Sequence, residues 1–147
     1  MQAAQTRQVT ADFINEVWNQ QQYDKLDEYL HPDYVDHSLP AALPPDRTGL
    51  LKWIQATSQS FEHQTIIEDQ VTEAGKTILK IKMVMTHIGP WRGIDATGAQ
   101  VSTEGYRFYR LADGKLIEHW AEINGTLLES QLKQQIAAKC TVPNNAE

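Results

Sequence analysis

His119 and Arg107 are the residues of this chain whose types best suit chemistry. An imidazole titrates near working pH and can take a proton, and a guanidinium can hold a carboxylate, an ester carbonyl or an enolate. Both lie in residues 101–124, where VSTEGYRFYR and LIEHWAEIN flank LADGK. Two runs rich in Val, Tyr, Phe, Ile and Trp around Ala112-Asp113-Gly114 read as a β-hairpin, because Gly supplies the positive φ of a tight turn.

A three-residue loop with Gly114 in a bulge places Arg107 opposite His119, Gly105 opposite Ala121 and Tyr106 opposite Trp120. One face then carries Arg107, His119 and Ile123 around a gap at Gly105 and Ala121. The other carries Tyr106, Phe108, Glu118, Trp120 and Glu122. A two-residue turn at Asp113-Gly114 pairs Arg107 with Trp120 instead and dissolves the Arg107–His119 neighbourhood. In the three-residue register the adjacent Arg107 disfavours protonation of His119. The plainer reading is that Arg107 pairs with Glu104 or Glu122 on an exposed face.

Further candidates to bind a substrate are His87, Trp91, His37, Asp36, Glu104 and Glu122. His87 ends the apolar alternation Leu79, Ile81, Met83, Met85, and is equally readable as a hydrogen-bonded core residue. Glu104 and Glu122, opposed in the three-residue register, repel as like charges, which raises the pKa of one; one turned inward could act as an acid, and the plainer reading is solvated outer-face glutamates. Asp36-His37 follows the second helix and can either reach a cavity mouth or cap a turn. Trp91 sits in a Gly-rich loop as a lid candidate, whereas Trp18 and Trp53 read as packing. Cys140, the single cysteine, excludes an intrachain disulfide and reads as an incidental thiol.

The elements around these residues follow from periodicity. Thr10 is a plausible cap for a helix through Trp18, with Phe13, Ile14, Val17 and Trp18 on one stripe. Residues 24–30 suggest a second short helix stopped by His31-Pro32, and Thr48 can cap a third reaching Phe61. The period then changes to two: residues 63–73, the turn Ala74-Gly75, and residues 77–88 read as strands. A final helix is expected in TLLESQLKQQIAAK. Three helices followed by antiparallel strands is an α+β layout, and a curved sheet closed by helices encloses a cavity, the default ligand site.

The chain has 147 residues, 41% hydrophobic and 22% charged, which fits one domain spanning 1–147 with a polar tail from about 140. A net charge of -6 without a Lys/Arg cluster argues against nucleic acid or an anionic membrane as partner. No apolar run approaches the ~20 residues of a membrane span, and MQAAQTRQVTADF lacks a signal-peptide core, so the cytoplasm is the expected compartment. The five histidines show no metal-binding spacing and no nucleotide or GxSxG motif is present, so no cofactor is expected.

The order of elements, with DEYLHPDYVDH, THIGPWRGIDATG and RLADGKLIEHW followed by QLK, resembles the SnoaL-like polyketide cyclases, also called predicted ester cyclases, of the NTF2-like superfamily. The likeness covers about residues 7–133, and DGK-x-x-E-H-W, residues 113–120, is its most specific piece. It implies a cone-shaped curved antiparallel sheet with three N-terminal helices around an apolar pocket, often as a homodimer. It also implies aldol ring closure of an aromatic polyketide without metal or organic cofactor. The family's acid lies two positions after the His of this block, which here is Ala121. That acid's partner His falls at Arg107. The reaction therefore carries over as a class, with His119 the remaining base, Arg107 the donor to an enolate, and a small apolar carbonyl compound as ligand. Rival readings are a non-catalytic binder on the same scaffold and a dimeric interaction module using Tyr106, Phe108 and Trp120.

Overall fold

The alternation of residues 79–87 is the inner face of a strand: Leu79, Ile81, Met83, Met85 and His87 are all buried. The computed structural model, which describes residues 2–141, sets this strand in a curved five-stranded sheet of order β1-β5-β4-β3-β2. The strands are β1 (Leu30–Asp36), β2 (Phe61–Glu73), β3 (Lys76–His87), β4 (Gln100–Ala112) and β5 (Lys115–Ile123). Helices α1 (Ala3–Phe13), α2 (Leu26–Tyr29) and α3 (Arg47–Ser60) precede or interrupt them, and α4 (Gly125–Thr141) follows. No described helix is long and apolar enough to cross a membrane.

Phe13, Ile14, Val17 and Trp18 form the stripe expected of the first helix and are fully buried. The helix begins at Ala3, however, not at Thr10. Thr10 is interior, its hydroxyl donating to the Thr6 carbonyl at 2.9 Å, so the hydroxyl that suggested a cap is spent inside the helix. Beyond Phe13 the chain widens into a π-helical turn, Ile14–Asn19, that delivers Trp18 to the sheet. The cap of α3 is Asp46, which accepts from the Gly49 N–H at 3.1 Å, in place of the expected Thr48.

The second helix is only Leu26–Tyr29 after a short 3-10 turn, and the residues that follow form β1. This strand runs parallel to β5, so the sheet is mixed and not wholly antiparallel. Pro32 is tolerated because β1 lies at the sheet edge, where a missing N–H breaks no ladder on its open side.

The hairpin register differs from both readings of the sequence. Asp113 and Gly114 have φ of 53° and 76°, a two-residue turn, with Ala112 opposite Lys115 and Leu111 opposite Leu116. Arg110 then pairs with Glu118, so Ile117 is an extra residue forming a bulge. Arg107 consequently faces Ala121, Tyr109 faces His119 and Gly105 faces Ile123. The shift from the three-residue register is two positions, an even number, so Arg107 and His119 keep a common face as diagonal neighbours. Gly105 leaves no gap. A Cβ there would collide with the Glu122 carbonyl oxygen and the Ile123 side chain, because β5 backbone already fills the space.

Candidate active site

Asp36 is the last residue of β1 and the register partner of His119 on β5, which brings a charged side chain to an inner position 2% exposed. Its burial is made tolerable by four donors. Oδ2 accepts from His119 Nδ1 at 2.8 Å and from the Tyr34 hydroxyl at 2.6 Å. Oδ1 accepts from the Ser38 N–H at 2.9 Å and the Ser38 hydroxyl at 2.8 Å. The turn-capping reading of Asp36 therefore describes one oxygen and the site the other.

His119 is held on its other sides by a stacked Tyr109 ring, 4.4 Å between centroids, and by Arg107, whose Nη1 lies 3.3 Å from His119 Nε2. With Nδ1 donating to Asp36, Nε2 carries the lone pair and accepts from Arg107. Arg107 itself is 4% exposed, with its guanidinium 4.6 Å above the Trp18 ring. Its Nε is buried without a partner, and no carboxylate lies within ion-pair distance among the described residues.

The electrostatics follow from these contacts. Burial alone would raise the Asp36 carboxyl, but the hydrogen bonds from His119, Tyr34 and Ser38 outweigh it and hold the group well below the carboxylate range. Burial pushes the His119 imidazole below its ordinary value, Asp36 opposes the shift, and Arg107 adds to it. Asp36 is thus an anion, His119 a neutral base and Arg107 a cation, in one buried line.

Two cavities meet at this line. A larger apolar one of about 390 Å³ lies between Trp18, Phe61, Met83, Trp91 and Leu128. A smaller one of about 200 Å³ is bounded by Asp36, Ser38, Leu50, His119 and Ala121. Arg107, Trp53 and Ile123 border both. The larger volume alone suits a small-molecule ligand.

The structure thus brings together Arg107, His119, Asp36 and, at the cavity wall, Trp91. Trp91 is fixed by paired backbone bonds to Ile94 at 2.9 Å and by an edge-to-face contact with Phe61. His87 is set apart: its Nδ1 accepts from the Thr97 N–H at 3.2 Å, and the ring packs on Phe61 outside both cavity linings. His37 is turned outward, stacked on Trp120 at 4.4 Å and 3.0 Å from Glu118. Glu104 and Glu122 are exposed and not opposed, since the bulge in the β4–β5 ladder sets Tyr106 across from Glu122, while Glu104 pairs with Lys82 of β3. The side chain of Cys140 lies outside the described residues. Sequence reasoning missed Tyr34, Ser38 and Tyr109; Trp18, read as packing, is buried in the core and also lines the larger cavity, and Trp53, read likewise, borders both cavities. The D-x-S spacing of Asp36 and Ser38 is a turn signal that could have tied Ser38 to Asp36.

The cone of curved sheet and helices is an NTF2-like scaffold, and polar groups converge in its interior. Residues 8–132 match the family model of the SnoaL-like polyketide cyclases, and the chain belongs to that family. It is 31% identical over 115 residues to nogalonic acid methyl ester cyclase of Streptomyces nogalater, covering 71% of this chain and 81% of that protein. Aklanonic acid methyl ester cyclase DnrD of Streptomyces peucetius is 26% identical over 103 residues, covering 67% and 69%. In fold the chain is similar to TsrD from Streptomyces laurentii, with a TM-score of 0.79 at 24% identity over 90% of this chain and 97% of that one.

Proposed function

We propose that this protein closes a ring in a small, largely apolar polyketide carbonyl compound by an intramolecular aldol reaction. The observation that carries the reading is the 3.3 Å contact of Arg107 Nη1 with His119 Nε2 at the junction of the two cavities. A neutral imidazole and a buried cation side by side are what the reaction needs. Arg107 shifts its Nη1–H from His119 Nε2 to the carbonyl oxygen of the bound compound, the freed Nε2 removes a proton from the carbon beside that carbonyl, and the resulting enolate oxygen rests on Arg107. The carbon attacks a second carbonyl of the same molecule, and the new alkoxide takes the proton back from His119. One C–C bond forms and no atom is lost, so proton transfer and charge stabilisation suffice. The protein acts on this reading as a homodimer, with the outer apolar ladder of Ile78, Phe108 and Trp120 as the supporting surface.

The substrates to try first are nogalonic acid methyl ester and aklanonic acid methyl ester, the compounds in the names of the relatives. Turnover gives a product of unchanged mass with an altered chromatographic position. His119→Ala should lower it by about 10²-fold or more, and Arg107→Gln by a similar factor. Equal turnover in wild type and His119→Ala would refute the reading. Stabilisation by these esters without turnover would instead mark a binding protein.

A further inference from the structure

We infer that Asp36 is a positioning residue for catalysis, acting from β1 through His119 to supply the negative charge that Ala121 cannot. The inference rests on the aldol reading above and assigns a role to a carboxylate that never touches substrate.

The assignment follows from how the carboxylate is occupied. A carboxylate offers about four acceptor sites. Those of Asp36 are taken by His119 Nδ1, the Tyr34 hydroxyl, and the Ser38 N–H and hydroxyl. None is left to receive a proton from a bound compound, so Asp36 is not the base. What it can do is fix His119 as the Nδ1–H tautomer, which puts the lone pair on Nε2, the nitrogen beside Arg107. It also stabilises the imidazolium that forms when Nε2 takes a proton. Tyr34 and Ser38 hold the carboxylate still while it does so.

The position reinforces the point. Asp36 and His119 are 83 residues apart and become partners only through the parallel β1–β5 ladder. A carboxylate at position 121, on the same strand as His119, would share the wall of the smaller cavity with it. Asp36 reaches His119 from the neighbouring strand, on the Nδ1 side, and leaves Ala121 as open wall. The groups that face His119 are Asp36 from β1, whose carboxylate also accepts from Tyr34, His37 beyond it, and Arg107 and Tyr109 from β4. Asp36 is the anion among them.

The test combines a spectrum with a pH profile. In wild type, two-dimensional ¹H–¹⁵N correlation of the histidine rings at pH 7.5 should show His119 protonated at Nδ1 and unprotonated at Nε2. The Nε2–H tautomer in wild type would overturn the inference without any variant. Asp36→Asn should lower kcat by about 10²–10⁴-fold with KM changed only a few-fold. Without the anion the His119 imidazolium is less favoured, so the acid limb of kcat/KM should move to lower pH. Asp36→Glu should recover part of kcat. Loss of activity with an unmoved acid limb and an unchanged tautomer in folded Asp36→Asn would reduce Asp36 to a packing role. The two readings fail separately: full turnover in His119→Ala removes the aldol assignment, while a dead His119→Ala beside a fully active Asp36→Asn removes only this one.

Discussion

Asp36 and His119 are neighbours across parallel strands, with Oδ2 2.8 Å from Nδ1 and both side chains out of solvent. That pairing is structural as well as chemical, because it ties the edge strand β1 to the sheet at its inner face. Removing the acceptor of a buried donor leaves that donor unsatisfied, at a cost of about 1–3 kcal/mol. Asp36→Ala strands four donors at once: the His119 N–H, the Tyr34 and Ser38 hydroxyls and the Ser38 N–H. Its melting temperature should fall on the order of 10 °C. A change under 2–3 °C, or about 1 kcal/mol, in a calorimetric scan would show that water replaces these contacts freely.

Acidification should destabilise the fold in two stages. Burial, with Arg107 nearby, holds both His119 and His63 below their ordinary value of 6.5. The unfolded chain therefore binds protons that the folded one refuses, and stability is lost as pH falls below 6.5. Asp36 is held below its ordinary 3.8, so its contribution, complete above that pH, is lost only as pH drops further. Each group costs up to about 1.4 kcal/mol per pH unit inside its window. Urea midpoints between pH 7.5 and 5 should fall in wild type and fall less in a folded His63→Gln variant. A flat profile would mean that neither imidazole is protected.

The parts of this molecule legible in the sequence are those written in local periods. The run from Leu79 to His87 alternates cleanly, and the stripe from Phe13 to Trp18 repeats at helical spacing, because each face is buried along its whole length. Strand β1 was not legible. Leu30, Tyr34 and Asp36 are its inner residues, yet Pro32 reads as a break and a charged Asp36 reads as surface. Its justification lies in donors that include His119, far along the chain. The extra residue at Ile117 has no composition signal either, so the hairpin register could not be counted from the turn alone. Arg107 and His119 still appeared as neighbours because the error was two residues, which preserves the face.

At Gly105 the backbone of β5 leaves no room beside β4 for a side chain. A methyl group there meets the Glu122 carbonyl oxygen and comes within 2.9 Å of the Ile123 Cα, which is backbone and cannot rotate away. Gly105→Ala should therefore cost about 1–3 kcal/mol as the strands are pushed apart. The displacement would also loosen Ala121, two residues from Ile123, and with it the wall of the smaller cavity. Chemical denaturation reads the effect directly, and a neutral substitution would show that β5 shifts without strain.

Ala121 tests whether the smaller cavity is used. It faces Arg107 across the β4–β5 ladder and lines the 200 Å³ space together with His119 and Asp36. Ala121→Leu adds bulk on that wall without touching the Asp36–His119 bond, and the partly open space should accept it at a stability cost of about 1 kcal/mol or less. If a bound compound must bring its acidic carbon to His119 Nε2 through this space, kcat/KM should fall about 10-fold or more, the equivalent of ~1.4 kcal/mol in the barrier. Melting temperature and turnover measured on the same preparation separate the two effects. Unchanged kcat/KM in a folded Ala121→Leu would place the reacting carbon on the larger-cavity side of Arg107, and the enolate would then form against Trp18 and Ile123 rather than beside Ala121.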